Sequence, residues 1–297
     1  MRYVQLRAFH HVAISGGFSR AAAALHLTQP AISDQVRRLE DDYDVLLFDR
    51  RRKQVVLTEA GKSLLAITRR LFEAERHATD LLSETRALRA GHLRIHADAA
   101  LHVSQPLAAF RAQFPGVRVS IASGNSAQVV EALKTYEADI GVVGEPPGER
   151  GFDQVPLGAS PIVACVSQAS DLASRASLSL ADLARHPLVL REPGSRTRTL
   201  VLAAAARAGI TLAPAIEAEG REAVREIVAS GAGIGFVSQA EFGRDDRLTA
   251  IPLATDEPLL MEEFALCLSN RRQGYVIGAF LDLVSRSVQA DATGRPT

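Results

Sequence analysis

The chain is poor in the residues that staple, anchor or catalyse. Its 297 residues include two cysteines, Cys165 and Cys267. That is too few, too far apart, for a disulfide framework or a CxxC metal site. Both fall in apolar runs, Ile162 to Val166 and Phe264 to Leu268, where a buried, unreactive thiol is expected. No apolar run approaches the roughly 18 residues that a membrane span needs. Met1 to Phe9 lacks a basic segment followed by an apolar stretch and a small-residue cleavage site, so the expected location is the cytoplasm. No GxGxxG follows the first strand, and GxxxxGK[ST], HExxH and GxSxG are absent. The eight histidines show no metal-ligand spacing beyond His10-His11, which falls in the first predicted helix and is expected to be partly exposed. No metal, no cofactor and no catalysis are expected.

A surplus of either charge is missing too: 34 Lys and Arg balance 34 Asp and Glu. The balance hides an asymmetry. Residues 1–90 hold 15 basic against 11 acidic side chains, a net of +4, and residues 91–297 hold 19 against 23, a net of −4. A basic module joined to a more acidic partner domain fits this division.

In the basic part, Leu6, Phe9 and Ala13 fall at helical spacing within Val4 to Ser15, and Gly16-Gly17 stops that helix. Ser19 is read as the N-cap of a short alanine-rich helix, Arg20 to Leu27. Thr28 caps the next helix, about Gln29 to Asp41, with Pro30 in its first turn, where a missing N–H costs nothing. Helix, short turn, helix is the geometry of a DNA-reading helix-turn-helix. Ile32, Val36 and Leu39 must face inward, which points Pro30, Ser33, Asp34, Arg37 and Arg38 outward with Gln29 at the start. Ser and Arg can reach bases or phosphates, and an exposed Asp can accept from cytosine. Two short strands, Val45 to Phe48 and Gln54 to Leu57, flank Arg50-Arg51-Arg52-Lys53. Four consecutive cations on a hairpin tip suit a wing lying on phosphates. From Thr58 to about Leu88, Ala60, Leu64, Ile67, Leu71, Ala74, Ala78, Leu81, Thr85 and Leu88 form a heptad seam, the mark of a dimerising linker helix. A dimer carries two reading helices and expects a pseudo-palindromic site.

The run Gly17-Phe18-Ser19-Arg20-Ala21-Ala22, Leu27-Thr28-Gln29-Pro30-Ala31-Ile32-Ser33, Arg38-Leu39-Glu40, Leu47-Phe48-Asp49-Arg50 and Leu57-Thr58-Glu59-Ala60-Gly61 closely resembles the LysR-type transcriptional regulators. The resemblance implies a dimer or tetramer that binds promoter DNA and changes its bending when an effector binds.

Beyond Gly91 the pattern changes to alternating strands and helices. His92 to Ala97, Val117 to Ala122 and Asp139 to Val143 read as strands, separated by helices Pro106 to Phe114 and Ala127 to Thr135. A second set follows: strands Ile162 to Val166, Leu188 to Arg191 and Ile234 to Val237, with helices Arg198 to Ala208 and Arg221 to Ser230. A late strand, Phe264 to Leu268, precedes a helix from Tyr275 to Val288 and a frayed tail from Ala290. Two α/β lobes imply a ligand cleft between them. The expected fold is thus α/β with an N-terminal all-α winged helix-turn-helix (1–58), a linker helix (59–90) and a two-lobed effector domain (91–297). Its lobes are expected at about 91–160 plus 268–290, and 161–267. This part resembles the effector domain of the LysR family, which is similar to periplasmic solute-binding proteins.

Several polar groups fall where the cleft belongs. Asn125-Ser126, Ser195-Arg196-Thr197-Arg198 and Arg221 open three helices, and together they suggest an oxyanion site. Asp98 with Ala99, and Glu145, follow two strands and could meet an ammonium at the other end of a zwitterion, with His102 nearby. Asp98, Gly124-Asn125-Ser126, Glu145-Pro146-Pro147, Arg191-Glu192-Pro193-Gly194-Ser195 and Arg221-Glu222 are similar to a LysR subgroup associated with 2-aminoethylphosphonate catabolism. The resemblance implies that zwitterion as effector; a carboxylate or amino-acid effector is the alternative. An enzyme or a cytoplasmic solute-binding protein is the contrasting class. The expected partners are double-stranded promoter DNA, a small effector, further copies of the chain and RNA polymerase, with no membrane.

The wing generates a test. Arg51→Ala is expected to weaken binding to all DNA sequences alike and to flatten the salt dependence by about one unit of slope. Loss of sequence preference at unchanged affinity would contradict a phosphate contact.

Overall fold

A computed structural model of the chain describes residues 1–49, 55–82, 91–148 and 150–293. The fold divides into two compact units, Met1–Leu82 and Ser83–Thr297. The tip of the predicted wing, Arg50, Arg51, Arg52 and Lys53, lies outside the described residues, as do Thr85 and Leu88 of the predicted seam.

The first unit contains α1 (Tyr3–Ser15), α2 (Phe18–Leu25), α3 (Gln29–Tyr43), β1 (Phe48–Asp49), β2 (Val56–Leu57) and α4 (Glu59–Leu82). Its core is the one the periodicity requires: Leu6, Phe9 and Val12 of α1 meet Ala21 and Ala22 of α2 and Ile32, Val36 and Leu39 of α3. Phe48 closes it, 5.4 Å from the Phe9 ring and 5.7 Å from the Phe18 ring. The end of α3 is tied to β1 by the buried Glu40 carboxylate, which accepts from the amides of Leu47 (2.8 Å) and Phe48 (3.3 Å). β1 and β2 pair antiparallel, Phe48 opposite Leu57. Gly61 is obligatory for packing, because a Cβ there would stand 2.1 Å from the Leu47 carbonyl oxygen.

Two expectations are corrected here. Ser19 is not an N-cap: Gly17 holds that position, and α2 begins at Phe18. The Phe18 side chain packs onto the core, which draws the helix start two residues earlier than the cap residue suggests. His10 is buried rather than partly exposed, with its Nδ1 3.1 Å from Thr68 Oγ1 and its ring 4.6 Å from that of Phe72.

The second unit opens with β3 (His92–Ala97), a 3-10 turn (Ala100–Val103), α5 (Ser104–Gln113), β4 (Arg118–Ser123), α6 (Ser126–Lys134) and β5 (Ile140–Val143). β3 pairs parallel with both β4 and β5. β6 (Phe152–Ser167) then runs for 16 residues. β7 (Leu178–Ser179), α7 (Leu180–Leu183), β8 (Val189–Arg191), α8 (Arg196–Arg207), β9 (Ile216–Ala218), α9 (Arg221–Ala229), β10 (Gly235–Ser238), α10 (Gln239–Phe242) and β11 (Leu248–Ala254) follow, before β12 (Leu260–Leu268) and α11 (Tyr275–Thr293).

β6 serves two lobes. Its first half, from Phe152 to Pro161, pairs antiparallel with β12, which in turn pairs with β5. Its second half, from Ile162, pairs with β10 and β11. The first lobe packs Leu93, Ile95, Phe110 and Ile140 against Phe280 and Val284 of α11. The second packs Ile162, Ala164 and Val166 against Leu188, Leu190, Val201 and Phe236. Sequence pattern located only the second half of β6, since Pro156, Gly158 and Pro161 interrupt the first. It also missed β9 and β11, and α11 runs past the predicted stop at Val288. Helix α8 starts two residues before the expected Arg198. Both thiols are buried, and burial raises each to about 11, so neither carries reactive thiolate. No helix among the described residues is long and apolar enough to cross a membrane.

Burial, reinforced by the charges of His11 and Arg69, lowers His10 to about 4 from 6.5. A histidine whose folded pKa is depressed is neutral in the fold, so its contribution to stability is intact above 6.5 and falls as pH drops towards 4. The protection factors of α1 amides in the full chain, corrected for the slower intrinsic exchange at low pH, are expected to fall between about pH 6.5 and 4.5, and less so in His10→Gln. Equal protection across that range would contradict a buried neutral imidazole.

Candidate DNA-reading face and effector cleft

Thr28 caps α3 by accepting from the Ala31 amide, and Pro30 sits in the first turn. Ile32, Val36 and Leu39 face inward, which leaves Gln29, Pro30, Arg37 and Arg38 exposed and Ser33 and Asp34 half-buried; Ser19 of α2 is also exposed. Asp34 is neutralised in place, 2.9 Å from Arg38 Nε and 3.4 Å from an Arg37 Nη. The acid therefore orients two guanidiniums on a face that would otherwise combine one anion with loose cations. α4 has two sides. Leu65 and Thr68 are buried and Phe72 packs against the core, whereas Ile67 and Leu71 of the heptad seam stay 62% and 42% exposed.

In the second unit the strand ends and helix starts of the two lobes meet. Asp98 follows β3 and is the hub. It accepts from Arg221 Nη2 at 3.2 Å and from Arg191 Nη1 at 3.4 Å, both on its Oδ1, while Ser126 Oγ donates to its Oδ2 at 3.2 Å. Arg221 Nη1 also donates to the Asp98 carbonyl at 2.5 Å. Arg191 ends β8, Arg221 begins α9, and Ser126 begins α6, so one first-lobe acid gathers two second-lobe guanidiniums. Arg191 is held again by Glu192 at 2.8 and 2.9 Å, and Glu192 accepts from the Gly220 amide at 3.0 Å and from Asn125 Nδ2 at 3.2 Å. Burial alone would raise Glu192; the Arg191 and Gly220 hydrogen bonds outweigh it and lower the carboxyl to about 2.

The approach of the lobes needs a glycine at 194. Gly194 sits at φ 93°, and a Cβ there would lie 3.0 Å from Asn125 Oδ1. Around this junction opens a cleft of about 940 Å³. Asp98, Arg191, Glu192 and Arg221 line its inner part, and the exposed Glu131, Glu137, Glu219, Glu222 and Glu226 line its rim.

The structure brings Asp98, Asn125 and Arg221 to the cleft wall and sends other predicted residues elsewhere. Asp98 and Arg221 pair directly with each other, which corrects their placement at opposite ends of a zwitterion: two guanidiniums already occupy the carboxylate. Glu145 pairs with Arg196 at 2.6 Å across the lobes. Arg198 turns back to Glu217 and to the Arg191 carbonyl, so it does not project into the cleft. Ala99 and Thr197 are buried, and Ser195 is buried with no hydrogen-bond partner for its Oγ among the described residues. His102 lies beside Glu241 and Glu263. Sequence reasoning left out Arg191 and Glu192 as site residues although both stand in the quoted motif; Glu241 and Glu263 carry no local signal.

Residues 3–62 match the model for bacterial regulatory helix-turn-helix proteins of the lysR family, and residues 86–289 match that for the LysR substrate binding domain. The chain belongs to the LysR family of transcriptional regulators. The RuBisCO operon transcriptional regulator of Allochromatium vinosum is 34% identical to it over 275 residues, covering 92% of this chain and 88% of that one. The fold is similar to full-length CbnR complexed with its target DNA, with TM-score 0.69, 24% identity and coverage of 97% and 100%. It is also similar to the Synechocystis CcmR regulatory domain in complex with 2-PG, with TM-score 0.60, 24% identity and coverage of 67% and 97%. This LysR-type chain is accordingly a DNA-binding transcriptional regulator and not an enzyme.

The two first-lobe acids that pair with second-lobe arginines in this regulator differ in burial, with the Asp98 side chain 4% and the Glu145 side chain 53% exposed. Asp98→Ala removes the acid shared by Arg191 and Arg221, leaving them Glu192 and Glu241, and is expected to lower the unfolding free energy of the effector domain by about 2–3 kcal/mol. Glu145→Ala is expected to cost under about 1 kcal/mol. Chemical denaturation of both variants checks the contrast, and equal effects would contradict the central role of Asp98.

Proposed function

We propose that this LysR-type regulator reads promoter DNA with the outer face of α3, dimerises along the exposed seam of α4, and is switched by a small anionic metabolite entering between the effector lobes. The carrying observation is the convergence of Arg191 and Arg221 on Asp98. An anion that competes with Asp98 for these guanidiniums replaces an internal interlobe contact with one to ligand, which couples occupancy to the relative position of the lobes. Ser195, buried at the α8 N-terminus with an unengaged hydroxyl, offers such an anion a further donor. A full switch requires the ligand to favour one arrangement by about 5.5 kcal/mol, and release of the Asp98 contact between the lobes when the anion takes its place contributes to that preference. In this reading the domains run 1–58, 59–90 and 91–297, with Ser19, Gln29, Pro30, Ser33, Asp34, Arg37, Arg38 and the 50–53 cations facing DNA.

The relative named for a RuBisCO operon supports control of carbon-fixation genes, and the 2-PG complex of a similar regulatory domain supports a small phosphorylated acid as effector. One observation favours a second reading. The rim acids Glu131, Glu219 and Glu222 suit an ammonium, as 2-aminoethylphosphonate would present.

Calorimetric titration with 2-PG, inorganic phosphate and 2-aminoethylphosphonate, followed by footprinting on promoter DNA, separates the readings. Binding of 2-PG, weakened at least about tenfold in Arg221→Ala and accompanied by a shifted footprint, is expected. Selective binding of 2-aminoethylphosphonate would transfer the assignment to the zwitterion. No binding of any of the three, or an unchanged footprint, would overturn the proposed switch.

A further inference from the structure

Beside the Asp98 hub, three side chains from distant segments come together. His102 belongs to the 3-10 turn of the first lobe, Glu241 to α10 of the second, and Glu263 to β12, which joins the lobes. The register of β12 against β6 shifts between Glu263 and Phe264, where β6 carries the extra residue Leu157. His102 Nε2 lies 3.1 Å from Glu241 Oε1 and 3.7 Å from Glu263 Oε1, and one such atom from each residue lies within 4.8 Å of the others. The three side chains are 13%, 3% and 4% exposed.

Those spacings suit a metal ion. Ligand bonds of about 2.0–2.2 Å in tetrahedral geometry separate neighbouring ligand atoms by about 3.4 Å. The two measured separations bracket that value. Charge points the same way. The connected cluster holds four carboxyl groups (Asp98, Glu192, Glu241, Glu263) and two guanidiniums (Arg191, Arg221), which leaves one negative charge uncompensated even when Glu263 keeps its proton and His102 is neutral. Glu263 Oε2, in a side chain more than nine-tenths buried, has no hydrogen-bond partner among the described residues. An unmatched buried carboxylate oxygen is costly unless a proton or a cation joins it. Burial first, then the charges of Glu241 and Asp98, push the Glu263 carboxyl up to about 9. Glu241, in contrast, is held below its usual range because the His102 hydrogen bond and the Arg221 charge outweigh its burial.

We propose that His102, Glu241 and Glu263 form a site for one divalent transition-metal ion, bound by an imidazole nitrogen and two carboxylate oxygens, that ties the effector lobes together. Glu241 uses one oxygen for the ion and keeps the other 3.1 Å from Arg221 Nη2, an outer-shell contact that orients the ligand. Binding displaces the proton of Glu263. The nitrogen and oxygen donor set suits Zn²⁺, with a coordination position left open to water or to a ligand atom. The site stands on this cluster alone and is independent of the effector assignment.

The test titrates Zn²⁺ into the full-length protein against a competing chelator. One equivalent per chain is expected, with affinity reduced at least about tenfold in His102→Ala and in Glu263→Gln, whose amide keeps the carboxyl shape. The exposed His186 serves as control, and His186→Ala is expected to bind like the parent. X-ray absorption of the zinc-loaded parent protein is expected to show nitrogen and oxygen ligands, one of them imidazole, without sulfur; this readout does not depend on any variant folding. Absence of stoichiometric binding, undiminished binding in both variants, or sulfur ligation would each overturn the proposal.

Discussion

Asp98 is a first-lobe carboxylate held by two second-lobe guanidiniums, and the geometry of the effector domain depends on that one group. Its side chain is almost fully withdrawn from water, so each partner carries a desolvation cost that only the pairing offsets. The surrounding features support it. Ser126 takes the second carboxylate oxygen, Glu192 takes the other side of Arg191, and Gly194 lets two backbones approach without an intervening Cβ. Buried ionic networks of this type contribute less to net stability than to the choice of one arrangement over others. In a domain whose two lobes must adopt defined relative positions, that is the useful property.

The DNA-binding unit was readable from local pattern because its determinants are local. Thr28 before Gln29 and Pro30 marks a helix start, and Ile32, Val36 and Leu39 mark the buried stripe whatever lies beneath it. Ser19 misled for the same reason: a good capping residue stood beside a phenylalanine whose core packing set the helix start instead. In the effector domain, β3, β4 and β5 were visible as alternating runs, while β9, at three residues, was too short to carry a period. The first half of β6 survives its prolines because β12 supplies pairing along its length, a tertiary effect with no sequence signature. The site was legible as a set of loops but not as a network. Motif positions placed Asp98, Asn125 and Arg221 at the lobe junction; that Asp98 and Arg221 satisfy each other is decided by distance, and spacing along the chain holds no information about it.

Charge is layered across the cleft. Acidic side chains at the rim face solvent, and guanidiniums lie deeper, already matched by Asp98 and Glu192. An approaching anion thus meets repulsion before attraction. Solvent screening over a Debye length of about 8 Å weakens the outer layer more than the buried one. Salt is therefore expected to speed entry of an anion more than it weakens the final complex.

The long strand β6 has a consequence for how the domain is built. The chain leaves the first lobe along β6 near Pro161 and returns along β12 from Leu260, so the second lobe is an uninterrupted stretch set into a first lobe made of two pieces. The first lobe needs the later piece for its core, since Phe280 and Val284 of α11 pack on Leu93, Ile95 and Phe110. The inserted lobe has all its core strands and helices in one continuous segment, at lower loop-closure cost. It can therefore condense first and bring the two ends of its host together, acting as an internal template for the lobe that encloses it in the chain.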